Sequence, residues 1–174
     1  MLTLGILLSG CGTIYKVAMD ERSISTQARD EKITTAIRDA FIKDDNIKVL
    51  DISTYCYNGH VYLVGEYDTS AQKNEAVRAA KGVEGVLSVT DHFLPKEQDN
   101  ACGITDNVKL MAKVKGKLIA DKDIGSTDIE VKTVQCTVVL LGLVSSQNQI
   151  NEAIAHAKSV EGVRKVTSYL KVAK

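Results

Sequence analysis

The spacing of hydrophobic positions changes along the chain in a fixed order, and that order occurs twice. Ile33, Ile37, Ala40 and Phe41 recur at helical spacing, which predicts an amphipathic helix over residues 31–43, ended by Asp44-Asp45-Asn46. Over residues 49–57 and 61–67 the pattern turns β-branched and aromatic. Between these two runs stands Asn58-Gly59, the pair a type I′ hairpin turn prefers. Thr69 with Gln72 three positions on makes a capping box, repeated by Ser146 with Gln149. Each box opens a second helix that ends near Gly82 or Ser159. Gly85 and Gly162 then stop the chain in a backbone conformation that only glycine tolerates cheaply, ahead of final strands over 86–94 and 163–172.

A shift of ~77 positions lays about 65 residues on one another without a gap, roughly 21 of them identical. Asp51-Ile52 falls on Asp128-Ile129, Gly65 on Gly142, Asn74-Glu75-Ala76 on Asn151-Glu152-Ala153, and Val83-Glu84-Gly85-Val86 on Val160-Glu161-Gly162-Val163. The expected fold is therefore α+β: two tandem domains, residues 30–94 and 105–174. Each has the order αββαβ, with a small three-stranded sheet packed against two helices. Residues 95–104 carry the sole proline and read as a short linker. Units of this size are marginally stable alone, so packing of one copy on the other is expected to help. Gly65 and Gly142 lack a surrounding phosphate-loop pattern and read as glycines at strand ends.

Composition narrows the function more than the fold. The 22 basic and 22 acidic residues cancel, there is no Trp and only 5% of residues are aromatic. Neither a nucleic-acid partner nor a stacking platform for bases or sugars is indicated. His60, His92 and His156 lie far apart with no recurring acid and nucleophile beside them, so no catalytic residue is expected. The four cysteines, Cys11, Cys56, Cys102 and Cys136, form no CxxC or paired zinc-ligand pattern, and neither a metal site nor a cofactor is expected. Cys136 aligns with the turn residue Gly59 rather than with Cys56, so the cysteines do not follow the repeat.

Leu8-Ser9-Gly10-Cys11 follows a short apolar run and looks like a lipobox, which makes residues 1–11 a lipoprotein signal, Cys11 the lipid anchor and 12–29 an N-terminal segment. The run is too short to span a bilayer and lacks a positively charged start, so a longer natural N-terminus is expected. If Cys11 carries lipid, three thiols remain and at most one disulfide forms; the sequence leaves the pair open. Gly12 stands where an Asp would retain a lipoprotein in the inner membrane, which favours the periplasmic face of the outer membrane.

The first helices of the two copies differ in charge. Residues 31–43 mix acids and bases, whereas 107–120 carry Lys109, Lys113, Lys115 and Lys117 with no acid. At helical spacing Lys109, Lys113 and Lys117 share one face with Ala112 and Gly116, while Leu110, Val114 and Leu118 turn towards the core. One reading is an anionic surface that the lysines contact and the small residues let the helix approach. The other is a solvated helix face, which most charged faces are.

The αββαβ order, the glycines Gly65 and Gly142, and the paired Val-Glu-Gly-Val segments closely resemble the BON domain. Tandem copies behind a lipobox, preceded by Asp20-Glu21-Arg22-Ser23-Ile24-Ser25-Thr26-Gln27, are similar to the DolP family of outer-membrane lipoproteins. That resemblance implies binding of anionic phospholipids through the first helix of the second domain, at Lys109, Ala112, Lys113, Gly116 and Lys117, and a role in outer-membrane integrity. It also implies possible envelope protein partners. Relatives in that family place an aromatic near the start of this helix where Lys109 stands here, which implies shallow electrostatic docking in place of deep wedging. The alternative is an OsmY-like periplasmic chaperone or stress adaptor that grips proteins with the exposed faces of its sheets.

Overall fold

The computed structural model describes residues 22–47, 52–97 and 102–173. The lipobox with Cys11 and the expected start of the first strand at 49–51 lie outside the described residues. The first copy comprises α1 (Ile24–Ile42), β1 (Ile52–Tyr57), β2 (His60–Tyr67), α2 (Ser70–Lys81) and β3 (Ser88–Pro95). The second comprises α3 (Ile104–Ala120), β4 (Ile129–Val134), β5 (Thr137–Val144), α4 (Gln147–Lys158) and β6 (Lys165–Val172). The order αββαβ thus occurs twice, in an α+β fold.

Both first helices begin earlier than their apolar stripes suggest. Ser23 caps α1, its Oγ accepting from Thr26 N, and Gly103 occupies the same place before α3 without any side chain to contribute. Instead Asp106 reaches back to accept from Gly103 N at 3.2 Å, which places an acid in the first turn of a helix expected to have none. The second helices start where the capping boxes place them. Thr69 Oγ1 accepts from Gln72 N and Ser146 Oγ from Gln149 N, while the glutamine side chains accept from Asp68 N and Ser145 N, one residue further back than the box requires.

In each sheet the middle strand pairs antiparallel with the strand before it and parallel with the strand after the helix, giving orders β1-β2-β3 and β4-β5-β6. The β1–β2 turn has positive φ at Asn58 (53°) and Gly59 (78°), as the sequence pair demands. The β4–β5 turn repeats it with Gln135 (49°) and Cys136 (58°), residues that rarely adopt this conformation. Gly65 and Gly142 do not end their strands, as expected, but sit within them, opposite Ile52 and Ile129. At Gly142, φ is 140° and a Cβ would lie 1.9 Å from Asp128 O, so the backbone of the incoming β4 takes the space of a side chain.

Each copy has its own core between helices and sheet. In the first, Ile33, Ile37 and Phe41 of α1 meet Val61 and Leu63 of β2; in the second, Leu110, Val114 and Leu118 of α3 meet Val138 and Leu140 of β5. A third cluster joins the copies: Tyr62 and Val64 of β2 pack on Val134, Val139 and Leu141, flanked by Tyr55, Tyr57, Leu94 and Tyr169. The two sheets therefore lie face to face, with helices outside. This is why β5 is buried along its whole length and reads as an unbroken apolar run rather than an alternating one.

The seam between the sheets has approximate two-fold character. His92 and Tyr169, separated by the repeat offset of 77, touch each other, their rings 6.0 Å apart and His92 Nδ1 3.2 Å from Tyr169 Oη. Equivalent residues meet only near such an axis. At one end of the seam Gln135 Nε2 donates to Glu66 Oε1 at 2.7 Å and to Pro95 O at 2.8 Å. The inner faces of the two sheets are thus covered by one another in this structure.

Candidate functional site

The outward face of α3 gathers the five residues expected to share it, Lys109, Ala112, Lys113, Gly116 and Lys117. Leu110, Val114 and Leu118 hold the inner face in the core, and Lys109, Ala112, Lys113, Gly116 and Lys117 are all exposed. At about 100° per residue the lysines fall within about 80° of one another, with Ala112 and Gly116 beside them. Beyond those small residues lies a second row that the pattern missed. Ile104, Val108 and Ile119, 85%, 53% and 69% exposed, fall within about 60° on the opposite flank. Their signal is present in the sequence as two β-branched residues four apart, Ile104 and Val108, outside the core stripe; it was hidden because the helix was expected to start at 107.

The fourth lysine does not join this face. Lys115 Nζ lies 3.0 Å from Glu130 Oε1 of β4, which turns it towards the sheet. Lys117 Nζ donates to Ser159 Oγ at 2.8 Å, an exposed contact that leaves its charge uncompensated. Among the described residues no carboxylate pairs with Lys109, Lys113 or Lys117. The C-terminal end of α3 is fixed by His156, whose Nε2 lies 2.7 Å from Asp121 Oδ2. That contact, then the N–H of Asp123, holds the Asp121 carboxyl below its ordinary range. Ser159 Oγ donates to the main-chain oxygen of His156 and not to its ring, so the serine, histidine and aspartate form no relay.

The N-terminal end of α3 is fixed by a disulfide between Cys102, just before the N-cap, and Cys136 in the β4–β5 turn, with Cα atoms 5.8 Å apart. Asn107 Oδ1 also accepts from Cys136 N at 3.0 Å, and Thr133 Oγ1 donates to Asn107 O at 2.6 Å. The first copy reaches the same end with charge. Buried Asp30, the repeat equivalent of Asn107, accepts from Asn58 N at 2.8 Å, Gly59 N at 2.9 Å and Arg22 at 2.6 Å. Arg22 also donates to Cys56 O at 3.0 Å and lies 4.9 Å from the Tyr57 ring centre. Buried Cys56 donates to Asp30; burial first and the carboxylate second push its thiol up to about 12, so it stays protonated. Arg22, Tyr55 and Glu130 line one cleft of about 190 Å³, which sets the start of α1 beside the residue that holds Lys115 of α3.

Among the described residues no cluster of three metal-ligating side chains occurs, and no helix is long and apolar enough to cross a membrane. What the geometry offers is a rigid amphipathic surface pinned at both ends.

The comparisons with known proteins agree with this architecture. The BON domain model matches residues 29–94 and again residues 106–174. Osmotically-inducible protein Y of Escherichia coli (strain K12) is 36% identical over 158 residues, covering 90% of this chain and 79% of that protein. The outer membrane lipoprotein DolP of Haemophilus influenzae is 34% identical over 166 residues, covering 95% and 86%. A 21 kDa hemolysin of Actinobacillus pleuropneumoniae is 30% identical over 149 residues, covering 85% and 76%. Two matching αββαβ units in one chain, joined sheet to sheet, make this protein a tandem member of the BON domain family.

Proposed function

We propose that this protein is an outer-membrane lipoprotein of the cell envelope that binds anionic phospholipid surfaces through the outward face of α3 and so supports membrane integrity. The observation that carries the reading is the pairing, on one solvent-facing helix surface, of three lysines that meet no carboxylate among the described residues with three exposed aliphatic side chains. Magnitudes separate this from a merely solvated face. Three lysines near an anionic bilayer contribute about 3 kcal/mol, a dissociation constant near 10 mM and too weak to matter alone. Partial burial of Ile104, Val108 and Ile119 among acyl chains adds about 4 kcal/mol, which brings the constant to the order of 10 µM. The aliphatic row thus replaces the shallow, purely electrostatic docking that Lys109 in place of an aromatic implied.

Two further features support an envelope setting. Disulfides persist in oxidising compartments, and Cys102–Cys136 is one. Both the lipoprotein DolP and osmotically-inducible protein Y are relatives over most of this chain. An acyl chain on Cys11 would supply retention. The residues between Cys11 and Arg22 span at most roughly 40 Å when fully extended, and Arg22 sits in the cleft beside Glu130, next to α3. The tether and the helix then address the same membrane, and weak docking becomes an event at high effective concentration.

Co-sedimentation with vesicles tests the reading. The chain is expected to bind vesicles containing phosphatidylglycerol and not those of phosphatidylcholine alone. Replacing Lys109, Lys113 and Lys117 by glutamate should abolish binding, and replacing Ile104, Val108 and Ile119 by serine should weaken it at least a hundredfold. Equal binding to both vesicle types, or wild-type binding by the aliphatic variant, would overturn it.

A further inference from the structure

Within the seam between the sheets, His92 carries an imidazole whose charge can change near neutral pH, while His60 borders the cleft at the seam's edge with Tyr62, Leu143 and Lys171. His92 lies at the centre of the approximate two-fold axis, half-buried, with its ring edge-on to Tyr169 and its Nδ1 against Tyr169 Oη. Its Nε2 is buried without a hydrogen-bond partner, and so is Thr167 Oγ1 on the facing strand. The neighbours around it are apolar or unhelpful to a cation. Val64 lies beside it in β2, and Val139 and Leu141 line the seam from β5. β6 contributes Lys165 and Tyr169; Lys171 of the same strand reaches over the Tyr62 ring at 5.9 Å. Asp91, next in β3, is drawn to the helix side by Lys73 at 2.8 Å, and Glu66 of β2 is held by Gln135.

We propose that the seam is an acid-opened latch: protonation of His92 places an unpaired charge between the two sheets and parts the domains while each keeps its own core. The two domain cores are separate clusters from the seam, so the break has a natural line to follow. Opening uncovers Tyr62, Val64, Val139 and Leu141, an apolar strand surface of the kind that binds other chains.

The direction follows from the surroundings of the imidazole. Burial, then Lys165, lower its pKa from the ordinary 6.5 against the smaller pull of Asp91. A histidine whose pKa is depressed in the docked state contributes fully to docking above pH 6.5. That contribution is lost as pH falls below this value, by up to about tenfold in the docking constant per pH unit, until the docked-state pKa is passed.

The test is small-angle scattering of the full chain between pH 7.5 and 4, with far-UV circular dichroism and binding of an apolar fluorescent dye. Expected are a larger radius of gyration and a rise in dye fluorescence below pH 6.5, with the dichroism unchanged. His92→Gln should hold the compact form at least one pH unit lower, and the carbon-13 shift of the wild-type His92 ring should titrate in step with opening. A wild-type chain that stays compact to pH 4, a His92→Gln variant that opens at the same pH, or loss of dichroism together with opening would each overturn the proposal. Should His92→Gln not fold, a His92 ring that titrates at or above 6.5 would overturn it equally.

Discussion

Asp30 fastens the start of α1 to the β1–β2 turn. Its buried carboxylate satisfies two main-chain N–H groups of the β1–β2 turn and the partly buried Arg22 guanidinium. Removing it strands those donors, so Asp30→Ala should cost about 3–5 kcal/mol in urea unfolding. Asp30→Asn should cost less than half as much, because Asn107 serves the equivalent turn in the second copy. Two glycines make an opposite pair. Gly142→Ala forces a Cβ into the main chain of Asp128 and should destabilise by more than about 3 kcal/mol. Gly116→Ala meets nothing within 4 Å in a helix interior and should raise the melting temperature, by up to about 1 kcal/mol in stability. Cys56 should resist alkylation in the native chain at pH 8, since its thiol is pushed up to about 12, and should react once urea exposes it. The repeat alignment pairs Asp30 with Asn107 in the sequence, but no local pattern says that a helix residue accepts from a turn nearly thirty residues on. Such a role is visible only when the fold closes.

At the scale of elements, the two copies solve one problem in two ways. The start of each first helix must be fastened to the hairpin turn, and the second copy does so with Cys102–Cys136 across a separation of 34 residues. Closing a loop of that length constrains the unfolded chain by about 3–4 kcal/mol, so Cys102→Ser with Cys136→Ser should lower the melting temperature measurably while leaving the first domain's hydrogen-exchange protection unchanged. Apolar periods, capping boxes and the repeat together located the α-helices and strands among the described residues, because each packs one face against its own core, whereas the short 3-10 turn Ser126–Asp128 was not foreseen. The helix starts were less legible. Ser23 and Gly103 precede Ile24 and Ile104, residues that face solvent, and a stripe read from buried positions cannot see a turn that buries nothing. For α3 that turn holds Ile104, one of the three aliphatics of the candidate surface. Lys115, which helical spacing already sets apart from the face of Lys109, Lys113 and Lys117, finds its partner Glu130 on another element, a pairing that helical charge counting does not reach.

The whole molecule is a duplicated domain closed on itself, and the closure decides which surfaces are left. The sheets cover each other, so what faces outward is helix. Of the two equivalent first helices only α3 lacks exposed acids beyond its first turn; α1 presents Glu31 and Asp39 among its basic residues. The duplication, its basic second copy and the packing of one copy on the other were legible in the sequence, whereas the faces that form the seam were not, since alternating burial in β1 is compatible with water or with another sheet on its second face. The most direct measurement is nuclear magnetic resonance of the isotopically labelled chain on phosphatidylglycerol micelles that carry a nitroxide in the acyl region. Line broadening concentrated at Ile104, Val108, Ala112, Gly116 and Ile119, with α1 unaffected, is the predicted result. Broadening centred on α1, or none at all, would contradict the account.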